Sequence, residues 1–306
     1  MSIMHFPRLR RPDAAAGSDA GGPGHVRTAF VLGGGGNLGA IQVGMLRAVI
    51  ERGILPDLVV GCSVGAINAA GVAADPSEAG ITHLRDIWLS LDRDIILPAG
   101  PLSRIKLLNP RSPSLQTNDG LRRLLERCLP WQTFEEWPRP FQVVATSLAT
   151  GAERWFSSGS VVAPILASTA LPAIFPPVAI DGELLIDGAV VNNVPISRAA
   201  RLGARRVVVF HVGNFQRPRP QPKRPLDVLL QSFSIARNAR FLREAADEPP
   251  DGVELVVLPG VDPGRLRYDD FGHSRRLVEL GYASAARWLD DVAALSPTPA
   301  PALSAH

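Results

Sequence analysis

A short apolar stretch that turns directly into a helix constrains this 306-residue chain more than any other feature. Residues 58–60 are Leu-Val-Val, a pattern typical of a buried strand, and the small residues from Ala66 onward favour a helix. Between the two lies Gly61-x-Ser63-x-Gly65. Glycines leave room for a tight corner because they carry no Cβ, and the central side chain then projects above a helix N-terminus. Ser63 is therefore a candidate nucleophile, although a serine that only caps the helix fits the same motif.

A second glycine-rich turn follows the first predicted strand, residues 26–32. Consecutive glycines at 33–36 let several backbone N–H groups converge on one point, which favours a phosphate or the oxyanion of an acyl-transfer intermediate. The spacing Gly34-x-Gly36-x-x-Gly39 also fits a dinucleotide-binding motif. That motif requires an acidic residue at the end of the next strand, where this chain has Gly61-Cys62-Ser63. We therefore interpret the run as an anion-binding nest and not as a nucleotide site.

The order of the predicted elements indicates an α/β fold. A strand, a helix and a second strand follow one another within residues 26–62, which implies a parallel sheet covered by helices. We predict a three-layer α/β/α sandwich with a mainly parallel central sheet, formed by one domain over residues 26–294. Residues 1–25 and 295–306 lack periodicity and are expected to be disordered.

Three later segments carry further expectations. Residues 93–116 contain four prolines and are predicted to be irregular, as in a lid or a channel rim. Apolar residues at helical spacing predict a helix over 226–236. Two short apolar runs, 178–180 and 183–186, flank Asp181-Gly182, which predicts a hairpin with Asp181 in its turn.

A serine nucleophile needs a base, and the sequence offers three candidates. His211 ends a predicted strand and His273 opens a predicted helix, so either could complete a Ser-His-Asp set. Asp187 ends another strand in Asp187-Gly188-Ala189, and its carboxylate could lie at the same edge of the sheet as Ser63. A turn aspartate fits the same Asp-Gly pair. The residues alone leave these alternatives open.

The charge balance does not argue for a nucleic-acid partner. Lysine and arginine exceed aspartate and glutamate by 32 to 29, and the positive charges form small clusters instead of one block. Two clusters could touch an anionic membrane surface, although we favour their interpretation as solvated loop charges. They are Arg8, Arg10 and Arg11, and Arg217, Arg219, Lys223 and Arg224.

The cysteines and the hydropathy pattern indicate a cytoplasmic protein, at most peripheral to a membrane. Cys62 and Cys128 show neither a disulfide framework nor metal-ligand spacing, and Cys62 is interpreted as a packed neighbour of Ser63. The N-terminus lacks the apolar core of a signal peptide, and no run reaches the roughly 18 apolar residues of a membrane-spanning helix. We expect no metal and no cofactor. No oligomeric state follows from the sequence.

Four segments in a fixed order resemble the patatin-like phospholipases, in particular the small bacterial members of that family. The resemblance extends from about Thr28 to Ala204. Its segments are Gly34-Gly35-Gly36-Asn37-Leu38-Gly39, Gly61-Cys62-Ser63-Val64-Gly65, the run from Ala167 to Pro177 that contains Ser168, and Asp187-Gly188-Ala189 followed by Asn192-Asn193-x-Pro195.

The resemblance implies a lipid acyl hydrolase of phospholipase A or lysophospholipase type. Carried over, Ser63 is the nucleophile, Asp187 is the general base of a Ser-Asp dyad without histidine, and Gly34, Gly35 and Gly36 supply oxyanion-hole amides. The family usually has Arg or Lys before the final glycine of the first motif, where this chain has Leu38. The oxyanion donors are backbone groups, so Leu38 should leave them in place. The missing positive charge weakens the expectation of a phosphate-bearing substrate more than that of acyl transfer itself.

Two further interpretations accompany this one. Apolar residues in the 93–116 segment and around Leu171 and Phe175 could line an acyl-binding groove, although core packing explains them as well. The chain could also be a catalytically idle lipid- or protein-binding member of the same fold.

Overall fold

The computed structural model describes residues 28–96, 113–213, 221–246, 252–264, 266–267 and 269–295. The segments expected to be disordered, 1–25 and the tail beyond Leu295, lie outside the described residues. So do Arg217 and Arg219 of the second basic cluster, in which Arg224 pairs with Asp227 at 3.0 Å.

Within the described residues, eight strands form one sheet. They are β1 (Thr28–Leu32), β2 (Leu58–Cys62), β3 (Phe141–Ser147), β4 (Glu153–Phe156), β5 (Val178–Ile180), β6 (Glu183–Asp187), β7 (Arg206–Phe210) and β8 (Glu254–Val257). The described helices are α1 (Gly39–Ile50), α2 (Val64–Ala74), α3 (Glu78–Ser90), α4 (Arg93–Ile96), α5 (Asp119–Cys128), α6 (Val162–Ser168), α7 (Ile196–Arg201), α8 (Pro225–Ala246) and α9 (Ser274–Leu295). None of these helices has the length and apolar character that spanning a membrane requires.

The sheet is mainly parallel, as predicted. Its order is β5-β6-β3-β2-β1-β7-β8, with β4 paired to β3. The five strands β1, β2, β3, β7 and β8 run parallel, whereas β4 and β6 each pair antiparallel with β3, and β5 pairs antiparallel with β6. Short turns join β3 to β4 and β5 to β6, as antiparallel pairing allows, and helix α6 lies between β4 and β5.

Alternating residues of the central strands pack into separate cores, which defines three layers. Phe30 and Leu32 of β1 face the larger core, together with apolar residues of α1, α2, α3, α5, α6 and α9. Ala29 and Val31 face a smaller core, which Ile196 of α7 and Phe241 of α8 cover on the other side. Because successive strand side chains point to opposite faces, a sheet covered on both faces needs apolar residues at every position. The predicted α/β/α sandwich is confirmed.

Several predicted boundaries differ from the observed ones. The segment 93–116 is not irregular throughout, because Arg93–Ile96 is helical and the amides of Leu115 and Gln116 donate to the carbonyls of Ala173 and Ile174. Residues 97–112 of this segment lie outside the described residues. Helix α8 extends ten residues beyond its predicted end at 236. The hairpin at Asp181 is present, with Ile180 paired to Glu183.

Candidate active site

Ser63 occupies a strained corner between β2 and α2. Its backbone has φ 54° and ψ −128°, a conformation that L-residues rarely adopt. The two flanking glycines make the corner possible. A Cβ at Gly61 would lie 2.5 Å from the carbonyl oxygen of Gly65, and one at Gly65 would collide with the carbonyl of Leu32. The Gly-x-Ser-x-Gly spacing therefore specifies close backbone approach on both sides of the serine.

The carboxylate of Asp187 accepts a hydrogen bond of 2.7 Å from the hydroxyl of Ser63. Strand register explains how two residues 124 positions apart meet. Cys62 of β2 pairs with Val144 of β3, and Asp187 of β6 pairs with the next residue, Ala145, on the other side of β3. The ends of β2 and β6 therefore flank one point on β3. Both side chains are shielded from solvent, with Ser63 9% and Asp187 2% exposed.

The second carboxylate oxygen of Asp187 is held by the chain that follows it. Its Oδ1 accepts a bond of 2.8 Å from the backbone N–H of Ala189, in the short 3₁₀ turn Gly188–Val190. Burial raises the pKa of Asp187 to about 6, and the bonds from Ala189 and Ser63 and the charge of Arg237 act in the opposite direction. The carboxylate is therefore held in one orientation, and its pKa lies closer to neutral pH than that of an exposed aspartate.

The glycine run lies against Ser63, but its amides have different partners. The N–H of Gly34 donates to Oδ1 of Asn193 at 3.1 Å, so this amide, expected in the oxyanion hole, already has a structural role. Gly35 and Gly36 line the same cavity as Ser63. Their N–H groups donate to none of the residues that the structure describes. Val64 also lines the cavity, and as the first residue of α2 it has an N–H group without a partner inside the helix.

A buried network of amide side chains supports the glycine run. Gln42 donates to the carbonyls of Gly33 at 2.7 Å and Phe210 at 2.9 Å. Asn68 donates to the carbonyl of Gly39 at 3.0 Å and to Gln42 at 2.8 Å, and it accepts from the indole of Trp88 at 2.8 Å. Sequence reasoning did not identify this network. Polar residues at apolar helix positions, Gln42 and Asn68, were its signal.

Ser168 is a second residue that sequence reasoning missed as a site component. It lies within the 167–177 segment, is fully buried at the end of α6, and accepts the backbone N–H of Ser63 at 2.8 Å. Cys62 is also fully buried, in contact with Val144 and Ala189, and burial raises its thiol pKa well above the usual range. A thiol in this state is a packing group and not a nucleophile.

Neither candidate histidine is among the described residues that line the cavity with Ser63. His211 is 6% exposed, its ring packs 5.0 Å from that of Phe241, and burial lowers its pKa to about 4. His273 is exposed at the start of α9, and its Nε2 lies 3.4 Å from Oδ2 of Asp270. The hydrogen bond of the Ser63 hydroxyl goes to Asp187.

Ser63 and Asp187 open onto a cavity of about 590 Å³, a size typical of small-molecule sites. Leu171 and Phe175 line it, as does Ile96 of the 93–116 segment, so these residues contribute to a groove as well as to packing. The rest of the wall is mainly apolar and comes largely from α2, α3, α5 and the loop after α5, with a smaller contribution from α8. Representative residues are Ile67, Leu84, Trp88, Leu124 and Trp131. Across the described ranges, no group of three or more His, Cys, Asp or Glu side chains is placed to hold a metal ion.

The fold and the site together define a class: three-layer α/β proteins in which a serine on a strained strand-to-helix turn faces a buried carboxylate. A sequence model described as patatin-like phospholipase matches residues 30–200, more than half of the chain. The chain therefore belongs to the patatin-like phospholipase family, whose name denotes lipid hydrolases.

Curated relatives are longer than this chain. It is 31% identical over 188 residues to patatin-like phospholipase domain-containing protein 6 of Mus musculus, covering 61% of this chain and 13% of that protein. An uncharacterized NTE family protein of Mycobacterium bovis is 31% identical over 184 residues, covering 58% of this chain and 47% of the relative. Among solved structures, VipD from Legionella pneumophila aligns over 87% of this chain and 67% of that chain, with 17% identity and a TM-score of 0.46.

Proposed function

We propose that the protein is a serine acyl hydrolase that cleaves ester bonds of lipids, of phospholipase A or lysophospholipase type, through a Ser63–Asp187 dyad. The observation that carries this proposal is the 2.7 Å hydrogen bond between the two side chains at the wall of a mainly apolar cavity. A nucleophile bonded to an oriented base is the arrangement that covalent catalysis requires. The apolar wall suits a fatty acyl chain.

The proposed reaction has two halves. Asp187 takes the hydroxyl proton as Oγ of Ser63 attacks the ester carbonyl, and the carbonyl oxygen becomes an oxyanion. The intermediate collapses, the alcohol leaves with the proton from Asp187, and an acyl-enzyme remains. Water, deprotonated by Asp187, then attacks the acyl carbon and releases the fatty acid, and the proton returns to Ser63. No cofactor enters this scheme.

The oxyanion donors in this proposal are the amides of Gly35, Gly36 and Val64. Each belongs to a residue that lines the cavity with Ser63. The Gly34 amide is not among them, since it donates to Asn193, which in turn helps hold the run in place. The loss of one such donor typically lowers the rate by about 10²–10³-fold. Leu38 packs against the larger core and is not among the proposed oxyanion donors.

The carboxylate is favoured over histidine as the base. His211 is buried against Phe241 with a depressed pKa, and His273 lies at the protein surface beside Asp270. Asp187 combines contact with the nucleophile, a second bond that orients it, and a pKa of about 6. A base of this strength can accept a proton near neutral pH.

We further propose transient contact with a lipid surface, which would make the protein peripheral to a membrane. Exposed apolar side chains lie on α8 and beside it, at Val190, Val228, Leu229 and Ile235. Leu229 and Val190 share a hollow with Phe233, which also lines the cavity. The apolar surface is therefore continuous with the site where a lipid would be cleaved. Leu229→Asp should reduce sedimentation with phosphatidylcholine vesicles, whereas Leu55→Asp, at the opposite end of β2, should not.

A hydrolysis panel on the purified chain tests the proposed activity. Its substrates are p-nitrophenyl esters, a phospholipid, a lysophospholipid, a glyceride and an acyl thioester. We expect release of fatty acid from at least one lipid, background rates for Ser63→Ala with unchanged circular dichroism, and wild-type rates for Asp181→Asn. Full activity of Ser63→Ala would exclude this serine. If the folded wild-type protein hydrolysed none of these substrates, the result would support the alternative that the chain is a catalytically inactive lipid- or protein-binding member of the fold.

A further inference from the structure

Arg237 lies on the wall of the cavity that holds Ser63 and Asp187. It belongs to α8, and the residues by which this helix reaches the cavity are Leu230, Phe233, Ser234 and Arg237. Their spacing of three and four places them on one face of the helix. Among the described lining residues, Arg237 is the only lysine or arginine. One permanent positive charge therefore faces an otherwise mainly apolar site.

The charge of Arg237 reaches the reacting groups. Burial raises the pKa of Asp187, and the guanidinium of Arg237 counteracts that effect. It acts in the same way on the buried thiol of Cys62. Such effects are weakly screened in a buried site. Because Arg237 also lines the cavity that Ser63 faces, it is placed to meet a ligand that fills that cavity.

The turn of α8 that carries Arg237 is anchored to the protein. Arg240, three residues further along, donates to the carbonyl of Val191 and, at 2.9 Å, to the carboxylate of Glu153. Phe241 is 4% exposed and packs against the ring of His211. Within the helix, the guanidinium carbon of Arg237 lies 5.8 Å from the ring centroid of Phe233. The contacts of Arg240 and Phe241 fix the backbone of this turn, and Phe233 lies beside the guanidinium, so the helix itself need not be ordered when an anion binds.

We propose that Arg237 binds the phosphate of a phospholipid or lysophospholipid whose acyl ester is held at Ser63, and that it selects such substrates over neutral glycerides. The inference rests on the proposed function and names the substrate class of that site. A planar guanidinium with several donors suits phosphate oxygens, and such charge-assisted bonds are about twice as strong as neutral ones. Most of the apolar wall comes from α2, α3 and α5. Helix α8 adds Leu230 and Phe233 together with Arg237, the positive charge at which the phosphate would lie.

Two substrates that differ only in the phosphate-bearing group test this inference. They are 1-palmitoyl-lysophosphatidylcholine and 1-palmitoylglycerol, measured below micelle formation at about pH 8, where Asp187 is ionised whether or not Arg237 is present. The readout is the ratio of their kcat/KM values. We expect Arg237→Leu to lower this ratio about 10- to 100-fold, with Arg237→Lys in between. Arg243→Leu, the same change at an exposed residue of α8, should leave the ratio unchanged.

A role limited to tuning Asp187 would give a different result. It would lower kcat/KM for both substrates by the same factor and leave the ratio intact, which would overturn the proposal. If the wild-type protein hydrolysed neither substrate, the wider panel would decide the proposed function, and the binding measurement below would decide the role of Arg237.

Binding to Ser63→Ala keeps the ligand uncleaved and does not depend on activity. Trp88, Trp131 and Trp137 line the cavity and provide an intrinsic fluorescence signal. We expect Ser63→Ala to bind the lysophospholipid more tightly than the monoglyceride, and the preference to disappear when Arg237→Leu is added. Equal affinities in the presence of Arg237 would contradict the proposal. Tight binding of inorganic phosphate without a preference for the lysophospholipid would indicate a free-anion site and would also contradict it.

Discussion

The backbone amide of Ser63 donates a hydrogen bond of 2.8 Å to the hydroxyl oxygen of Ser168, a residue 105 positions further along the chain. A non-glycine residue at positive φ costs of order 1–3 kcal/mol, and surrounding contacts must hold it there. Ser168 supplies such a contact from the end of α6. It contacts Ser63 through the backbone and not through the hydroxyl, so we propose it as a positioning residue for the proposed nucleophile.

Ser168→Ala should therefore lower kcat about tenfold and change KM little, because loss of one net hydrogen bond of about 1 kcal/mol loosens the corner without removing any group that touches substrate. Steady-state kinetics with a p-nitrophenyl ester measure both constants, and Ser158→Ala, at an exposed serine, is the matched control. The inflection of the pH profile should not move. A large rise in KM at constant kcat would argue against a positioning role.

The pH dependence of catalysis should reflect Asp187. Because burial raises the pKa of this carboxyl to about 6, the ionised base is lost as the pH falls through that value. We expect kcat/KM for a neutral ester to rise tenfold per pH unit below about pH 6 and to reach a plateau above it. A profile that stays flat from about pH 5 to pH 8 would contradict the assignment.

Asp187 should also lower the stability of the fold above about pH 6. Its pKa in the folded protein, about 6, exceeds the ordinary 3.8, so the folded state binds the proton more tightly than the unfolded state. The protonated carboxyl stabilises the fold at low pH, and this contribution disappears as the pH rises from about 4 to about 6. Above that window, ionisation of the buried carboxyl lowers the free energy of unfolding by about 3 kcal/mol relative to low pH.

Asp187→Asn removes this ionisation, so the variant should exceed the wild type in free energy of unfolding by more at about pH 8 than at about pH 4.5. Urea denaturation at the two pH values measures the difference. Asp181→Asn, at the exposed turn, should show no pH-dependent gain. A variant whose stability relative to wild type is the same at both pH values would show that the carboxyl is not destabilised by burial.

Interrupting the buried hydrogen-bond network of Gln42, Asn68 and Trp88 should lower the stability of the fold. Asn68→Ala leaves the Trp88 indole and the Gln42 oxygen without their buried partner, at about 1–3 kcal/mol for each group. We expect a loss of about 2–4 kcal/mol in chemical denaturation. Asn118→Ala is the control, since the Asn118 side chain makes no capping bond to α5. Losses of similar size for both variants would contradict a special role for Asn68.

Local pattern was sufficient to predict much of the fold. The bounds of β3 and β4 follow from their apolar and alternating residues, and the corner at Ser63 follows from its two glycines, whose positions admit no Cβ. The end of α8 could not be predicted, because beyond 236 the helix continues with charged and exposed residues that give no clear apolar stripe. Its bonds to Glu153 and Val191, made through Arg240, are long-range.

The partners of the candidate site were harder to predict than its motif residues. The acceptors for the amides of Ser63 and Gly34 are Ser168 and Asn193, which lie more than 100 residues away in sequence. Such pairs depend on strand order and register, which local periodicity does not determine. The same is true of Arg237, whose position at the cavity depends on how α8 docks. Motif spacing indicated Ser63 because its motif also describes the turn that carries it, whereas the choice of Asp187 over His211 and His273 came from the family resemblance.

Labelling with a fluorophosphonate probe, followed by peptide mass spectrometry, tests the Ser63–Asp187 dyad most directly, because only an activated serine reacts rapidly. Ser63 should carry the label, Asp187→Asn should slow labelling about 100-fold or more, and Asp181→Asn, His211→Ala and His273→Ala should label at the wild-type rate once shown to be folded. Label on another serine, or rapid labelling of Asp187→Asn together with its loss in either histidine variant, would contradict the dyad.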